Sequence, residues 1–324
     1  MIQIAFKISF IRQYTVIDSI KLNGAILNSM LTLYPAQKDE IIDNFVNGNV
    51  RVTTPYPFKN VPYLPMPPLS TIFPANFSIE EKKKYMRNRK KKIKYIQLND
   101  LKNCIKSYQN NDYKNIYIND ISSLNEDEFL ASDNYLAEEP GVKILKTPIK
   151  REENWIFTEV YTKEFASSGK IYYSVKDKLL YGDEKWFLAQ IKNDKFKEMF
   201  LTALNFLEDM GLSGRRTTGK GKFTIKELNL DQDFEMGFES EGLYIMLSEF
   251  IPSIKDLDNI DLDKSSYSLE IFSGTDKNGS SLGVYRYFKS GSIIYLKDEI
   301  EGYSIYVPEK RIIPFRASYL KVSE

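Results

Sequence analysis

The chain has 324 residues, 42% of them apolar, and carries 45 lysines and arginines against 44 aspartates and glutamates. That length can bury a sizeable core, as two domains or as one domain with a large insertion. It holds no histidine and one cysteine, Cys104, which excludes Ser-His and Cys-His catalytic pairs, an intramolecular disulfide and a cysteine-built zinc site.

With charge so balanced, a nucleic-acid binder must concentrate its cations locally. No apolar run reaches the roughly 18 residues of a membrane span. The opening MIQIAFKISF alternates instead of forming a signal-peptide core, so a soluble, cytoplasmic protein is expected.

Ile2, Ile4, Phe6, Ile8 and Phe10 are apolar at period two, with Gln3, Lys7 and Ser9 between them; this predicts a half-buried strand. Asp18 and Ser19 precede an apolar stretch through Ile26, Leu27, Met30 and Leu31 that stops before Pro35. Either residue can cap a helix there by accepting bonds from its free amides. Residues 55–74 contain seven prolines and predict an extended segment pressed against a surface, not a regular element. A basic run follows, in which nine of the thirteen residues from Lys82 to Lys94 are Lys or Arg. With Tyr85 and Tyr95 beside it, the run can track a nucleic-acid backbone through Lys84, Arg87, Arg89 and Lys91, or it is a solvated face. Residues 40–150 read as an insertion within the first domain.

Pattern returns near Trp155. TEVYTKEF and KIYYSVK flank Ser167-Ser168-Gly169 and predict a hairpin. Phe196, Met199, Phe200, Ala203, Leu204, Leu207 and Met210 follow a helical repeat from Lys195, and Gly211 suits the residue that ends such a helix. FTIKEL then starts a strand. The order strand, helix, strands, helix, strand is that of a ferredoxin-like, RNA-recognition type of domain over 1–230. Residues 231–324 hold short strands only and predict a second, β-rich, degenerate ferredoxin-like domain, so the fold class is α+β. Trp155 and Trp186 fall in strand-like patterns and predict core positions.

Between the predicted helix and FTIKEL lies a loop, residues 211–223, with four glycines in its first eleven residues. Glycine lets the backbone approach a partner closely. Gly214, Arg215, Arg216, Thr217, Thr218, Gly219, Lys220, Gly221 and Lys222 together offer charge, hydroxyls and backbone amides suited to a phosphodiester chain. The bland alternative is a surface turn. Gly214 to Lys220 also fits the first seven positions of a P-loop, but Gly221 stands where Ser or Thr should bind magnesium. A P-loop moreover follows a strand and opens a helix, the reverse of the order here. No catalytic constellation, metal-ligand spacing or cofactor motif is found, so the expectation is no enzyme, no metal and no cofactor.

Gly219-Lys-Gly221-Lys-Phe223 resembles the terminal G-x-G-x-F loop of the RAMP superfamily of CRISPR proteins. Further segments resemble, within that superfamily, the subunit-four family of type III-A (Csm) effector complexes. These are Asp18-Ser19 with Gly24-Ala25-Ile26, Tyr63-Leu64-Pro65-Met66-Pro67, Lys92-Ile93-Lys94-Tyr95-Ile96, Leu247-Ser248 with Pro252, and Tyr287 to Ser292. The sequence departs from the family where Phe10-Ile11-Arg12-Gln13 replaces a common His-x-Gly, and at Met66. The resemblance implies two ferredoxin-like domains and binding of the repeat-derived 5′ handle of crRNA. It implies docking to two neighbours, the backbone RAMP subunit (Csm subunit three) and the large polymerase-like signature subunit. A thumb hairpin, placed here around 80–110, would lie between guide and target RNA. The resemblance further implies no nuclease activity. A crRNA-processing endoribonuclease and a protein–protein adaptor are the alternative readings.

Overall fold

The computed structural model describes residues 1–11, 14–15, 17–65, 67–68, 95–99, 101–102, 105, 150–151, 154–155, 157–165, 171–180, 184–212, 221–275, 281–307 and 311–323. Its first part comprises β1 (Ile2–Phe10), β2 (Tyr14–Thr15), α1 (Ser19–Leu33), α2 (Lys38–Val46), β3 (Val50–Val52), β4 (Tyr56–Lys59), β5 (Val61–Pro65) and β6 (Tyr95–Gln97). There follow β7 (Lys150–Arg151), β8 (Asn154–Trp155), β9 (Phe157–Phe165), β10 (Ile171–Leu180), β11 (Glu184–Ile191), α3 (Asp194–Met210) and β12 (Phe223–Leu228). The last part holds β13 (Gly242–Met246), α4 (Ile254–Leu257), β14 (Ile260–Ser266), β15 (Leu269–Thr275), β16 (Ser281–Phe288), β17 (Ile293–Leu296), β18 (Gly302–Val307), β19 (Arg311–Arg316) and β20 (Tyr319–Lys321).

The chain is thus α+β, with antiparallel sheets. In the first sheet the strands run β12-β1-β11-β4-β5-β6, and β3 also pairs with β11. In the second they run β14-β17-β13-β20. The two sheets share a rule. Counting each sheet's principal strands in chain order, the fourth lies beside the first, the first beside the third, and the third beside the second.

Period two explains the layers. Ile4, Phe6, Ile8 and Phe10 of β1 enter a core with Leu22, Ile26 and Met30 of α1, Ile41 and Phe45 of α2, and Phe196, Phe200 and Leu204 of α3. Each such side chain contributes about 1.5–3 kcal/mol on burial. The opposite face of the first sheet is covered too. Ala5, Trp186 and Leu188 pack with Leu243, Ile245 and Leu247 of the second half, and with Ile293 and Leu320. Trp186 is fully buried and its indole N–H donates to Tyr63 O at 2.9 Å. Tyr244 and Met246 alternate to the far side of β13, in a third core with Phe250, Phe288 and Tyr319.

The local signals act as expected at both long helices. Asp18 caps α1, accepting from Lys21 N–H at 2.7 Å; Asn193 caps α3 through Phe196 N–H at 2.9 Å. Gly211 ends α3 at φ 81°, in the left-handed region where glycine pays no Cβ penalty. The predicted hairpin is β9–β10, with Phe165 opposite Ile171; the side chains of Trp155 and of this hairpin lie outside the described residues. No helix among the described residues is long and apolar enough to cross a membrane.

Two expectations need correction. The proline-rich segment forms strands: β4 and β5 make a hairpin turning at Asn60, φ 60°, and β4 pairs with β11. Pro57, Pro62 and Pro65 stand opposite Lys185, Phe58 and Tyr95 in these short ladders, where proline's fixed φ suits an extended chain, and asparagine tolerates the left-handed turn. α2 and β3 pack in the helical core, and β3 to β5 join the first sheet. The last part is also not made of strands only, because Ser253 and Asp256 build a reciprocal capping box around the short α4.

Candidate nucleic-acid interface

Only the base of the glycine-rich loop is described, and it is rigidly tied. Leu212 N–H donates to Gly221 O at 2.8 Å, and Ile11 N–H donates to Lys222 O at 2.9 Å. Leu212 and Phe223 sink into the helical core, with the Phe223 ring 6.0 Å from that of Phe10. Gly211 and Gly221 hold φ values of 81° and 71°, where a Cβ costs roughly 1–2 kcal/mol. Leu212 and Gly221 are thus two fixed points at one end of the first sheet, beside Ile11. Of the sequence-predicted contacts, Gly221 and Lys222 lie in this base. Gly214, Arg215, Arg216, Thr217, Thr218, Gly219 and Lys220 fall outside the described residues, as do Lys84, Arg87, Arg89 and Lys91.

At the start of α1, three segments that were singled out separately come together around a buried carboxylate. Glu249 follows Leu247-Ser248 and is 4% exposed. Its Oε2 accepts from Ser19 N–H at 2.9 Å, Ser19 Oγ at 2.5 Å and Thr54 Oγ1 at 2.7 Å. Its Oε1 accepts from Ser290 Oγ at 2.7 Å. Its own N–H donates to Ser19 Oγ at 3.1 Å. A carboxylate at the start of a helix also meets the positive end of the helix dipole. Asp18 and Ser19 therefore divide their work: Asp18 caps, and Ser19 joins the two halves.

The surrounding groups are held, not exposed for reaction. Tyr56 donates to Leu247 O at 2.8 Å, and burial, then the nearby Glu249 charge, pushes its phenol well above its ordinary value. Tyr287 donates to Glu270 at 2.9 Å, and burial followed by that bond raises it as well. Gly291, at φ 88°, turns the Lys289–Ser292 segment back so that its N–H reaches Met246 O at 2.7 Å. Sequence reasoning named Ser19, Ser248 and Ser290 within resemblances but missed Glu249, Thr54 and Tyr56. No one-dimensional spacing marks them. Among the described residues no group of three His, Cys, Asp or Glu side chains is placed to hold a metal.

No family model and no curated protein matches the sequence. Solved structures do match it. One is a chain of the Csm3-Csm4 subcomplex of the type III-A CRISPR-Cas interference complex, at TM-score 0.60 and 16% identity, covering 98% of this chain and 99% of that one. Others are chains of the Csm1-Csm4 cassette, in complex with AMPPNP and with cA4. Each has a TM-score of 0.54 and 16% identity, covering 99% of this chain and 98% of that one. At such identity the likeness is one of fold, and it spans the whole length of both partners. Csm4 is the component that the two assemblies have in common.

Proposed function

We infer that this chain, Csm4-like in fold, is a structural RNA-binding subunit of a type III-A CRISPR effector complex. The observation that carries this reading is the full-length likeness to chains of two different assemblies that share Csm4. The glycine-rich loop supports it, rising from a base clamped by Leu212, Gly221 and Lys222. In this reading the chain has two ferredoxin-like domains, 1–230 and 231–324. The shared strand order of the two sheets favours that division. The loop, from Gly214 to Lys222, grips the 5′ handle of crRNA through phosphates, and the basic run containing Lys84, Arg87, Arg89 and Lys91 faces the same RNA or its target. The chain joins the backbone subunit Csm3 to the large subunit Csm1, works in the cytoplasm, and cleaves nothing itself.

The test is binding of the purified chain to an RNA carrying the repeat-derived handle, against a scrambled RNA, across a salt series. Handle preference that is lost in the Arg215→Ala/Arg216→Ala variant, with its melting curve unchanged, is the expected result. Each lost phosphate contact should flatten the salt dependence by about 0.7 log units. Equal affinity in variant and wild type would overturn the role of the loop. Specific cuts in repeat RNA, incubated without metal, would overturn the non-catalytic assignment in favour of the endoribonuclease.

A further inference from the structure

Lys222, Thr224 and Lys226 are exposed along β12, while Phe223 and Ile225 between them pack into the helical core. The two-residue repeat of a strand spaces such side chains by roughly 6.8 Å along one face. The register of β1 against β12 sets Lys7 directly opposite Lys226, and Ser9 directly opposite Thr224. The same face therefore carries two rows in which ammonium and hydroxyl groups alternate.

This pairing breaks a rule that the rest of the sheet obeys. Like charges directly opposite on antiparallel strands destabilise the pair, because their Cβ atoms stand about 5 Å apart. Lys7 is relieved on its other side by Glu184 Oε1 at 2.9 Å, and its Nζ lies 5.6 Å above the Phe58 ring. Lys226 has no ion pair or hydrogen bond among the described residues. Lys226 is thus the member of the pair without compensation inside the chain, and such a position marks a place where something outside it supplies the compensation.

The ribbon's edge is not what is on offer. β12 is the last strand of its sheet, but Ile225 N–H already donates to Glu208 Oε1 at 3.0 Å, which blunts pairing with a further strand. What remains is Lys226, with the ion-paired Lys7 opposite it and, next to the base of the glycine-rich loop, the exposed Lys222, whose Nζ lies 3.5 Å from Asp209 O at the end of α3. Thr224, whose hydroxyl has no hydrogen bond among the described residues, stands between two of the ammoniums, a mixture that phosphates accept from, whereas Ser9 Oγ already donates to Glu184 Oε1 at 3.2 Å. A polyanion with evenly repeated charges fits this face.

We propose that the exposed row Lys222, Thr224 and Lys226, flanked across the ribbon by Lys7, is a second phosphate-binding row that carries single-stranded RNA away from the glycine-rich loop. The proposal rests on the RNA-binding reading above and extends its site from a loop to a track.

The experiment measures binding of the full-length chain to fluorescent handle-bearing RNA across a salt series, with three variants. Lys226→Ala should flatten the salt slope by about 0.7, and Lys222→Ala/Lys226→Ala by about 1.4, at one phosphate per lysine. Lys226→Arg should restore the slope. Thermal melting without RNA should show Lys226→Ala to be no less stable than wild type, since it removes a like-charge pair. If the Arg215→Ala/Arg216→Ala variant loses binding while Lys226→Ala keeps the wild-type slope, the track is refuted and the loop stands. A wild-type chain that binds no RNA refutes both. A Lys226→Ala effect confined to capture of a protein partner, with the RNA slope unchanged, also refutes the track.

Discussion

Replacing Glu249 by alanine should be among the most damaging single changes outside the apolar cores. The carboxylate is 4% exposed and accepts four hydrogen bonds from three segments of the chain. Alanine removes every acceptor at once and leaves Ser19 N–H and the hydroxyls of Ser19, Thr54 and Ser290 to re-pair where water is scarce. A buried donor left without a partner costs about 1–3 kcal/mol, and breaking a buried charged network by removing one member costs about 3–5 kcal/mol. The donors partly re-pair with one another, as Ser19 N–H already does with Thr54 Oγ1 at 3.0 Å, so the network figure is the better guide. At about 2 °C per kcal/mol for a chain of this size, the melting temperature should fall by roughly 6–10 °C. Glu249→Gln keeps the volume and one acceptor, and it should cost about 1–2 kcal/mol. Differential scanning calorimetry of both variants beside Ser290→Ala reads these numbers directly. A Glu249→Ala loss no larger than that of Ser290→Ala would refute the view that this carboxylate clamps the two halves together.

Gly24 lies inside α1, and a Cβ built there meets nothing within 4 Å. Gly24→Ala should therefore stabilise the protein by about 0.5–1 kcal/mol through helix propensity; a lower denaturation midpoint would contradict it. Burial opposes ionisation of Glu270, but the Lys289 ion pair and the Tyr287 hydrogen bond outweigh burial and hold its carboxyl below its ordinary value. The folded-state value is depressed, so this stabilisation is complete above the ordinary glutamate range and is lost as pH falls through the depressed value. Glu270→Gln should flatten the acid limb of melting temperature against pH, and an unchanged limb would contradict the assignment.

Much of the secondary structure was legible because its signals are local. The alternation in β1, the helical repeat of α3 and its stop at Gly211, and the two strands flanking Ser167-Ser168-Gly169 each lie within one short window, and each is met in the structure. The misses share a cause. β4 and β5 hide behind prolines that normally oppose strands; β4 is held in the sheet by pairing with β11, and β5 by pairing with β4 and β6. β14 reads as an acidic stretch because its middle residues face water and it pairs with β17 only near its two ends, across an irregular register. For the candidate interface, the sequence named the loop, the start of α1 and the segments around Ser248 and Ser290, but gave no reason to join the last three through Glu249.

What the sequence determined by itself is the chemistry the chain can carry: no histidine, a concentration of cations in a glycine-rich loop, and an α+β mixture of alternating strands and periodic helices. Tertiary structure alone decided how distant residues share one environment. Ser19 and Glu249 are 230 positions apart and meet at 2.5 Å, and Lys7 faces Lys226 only because β1 and β12 pair in one particular register. Hydrogen bonds and like-charge repulsion act over a few ångströms of space, whatever the separation along the chain. The groups that must compensate a buried carboxylate, or leave a lysine uncompensated, become visible only once the sheets have closed.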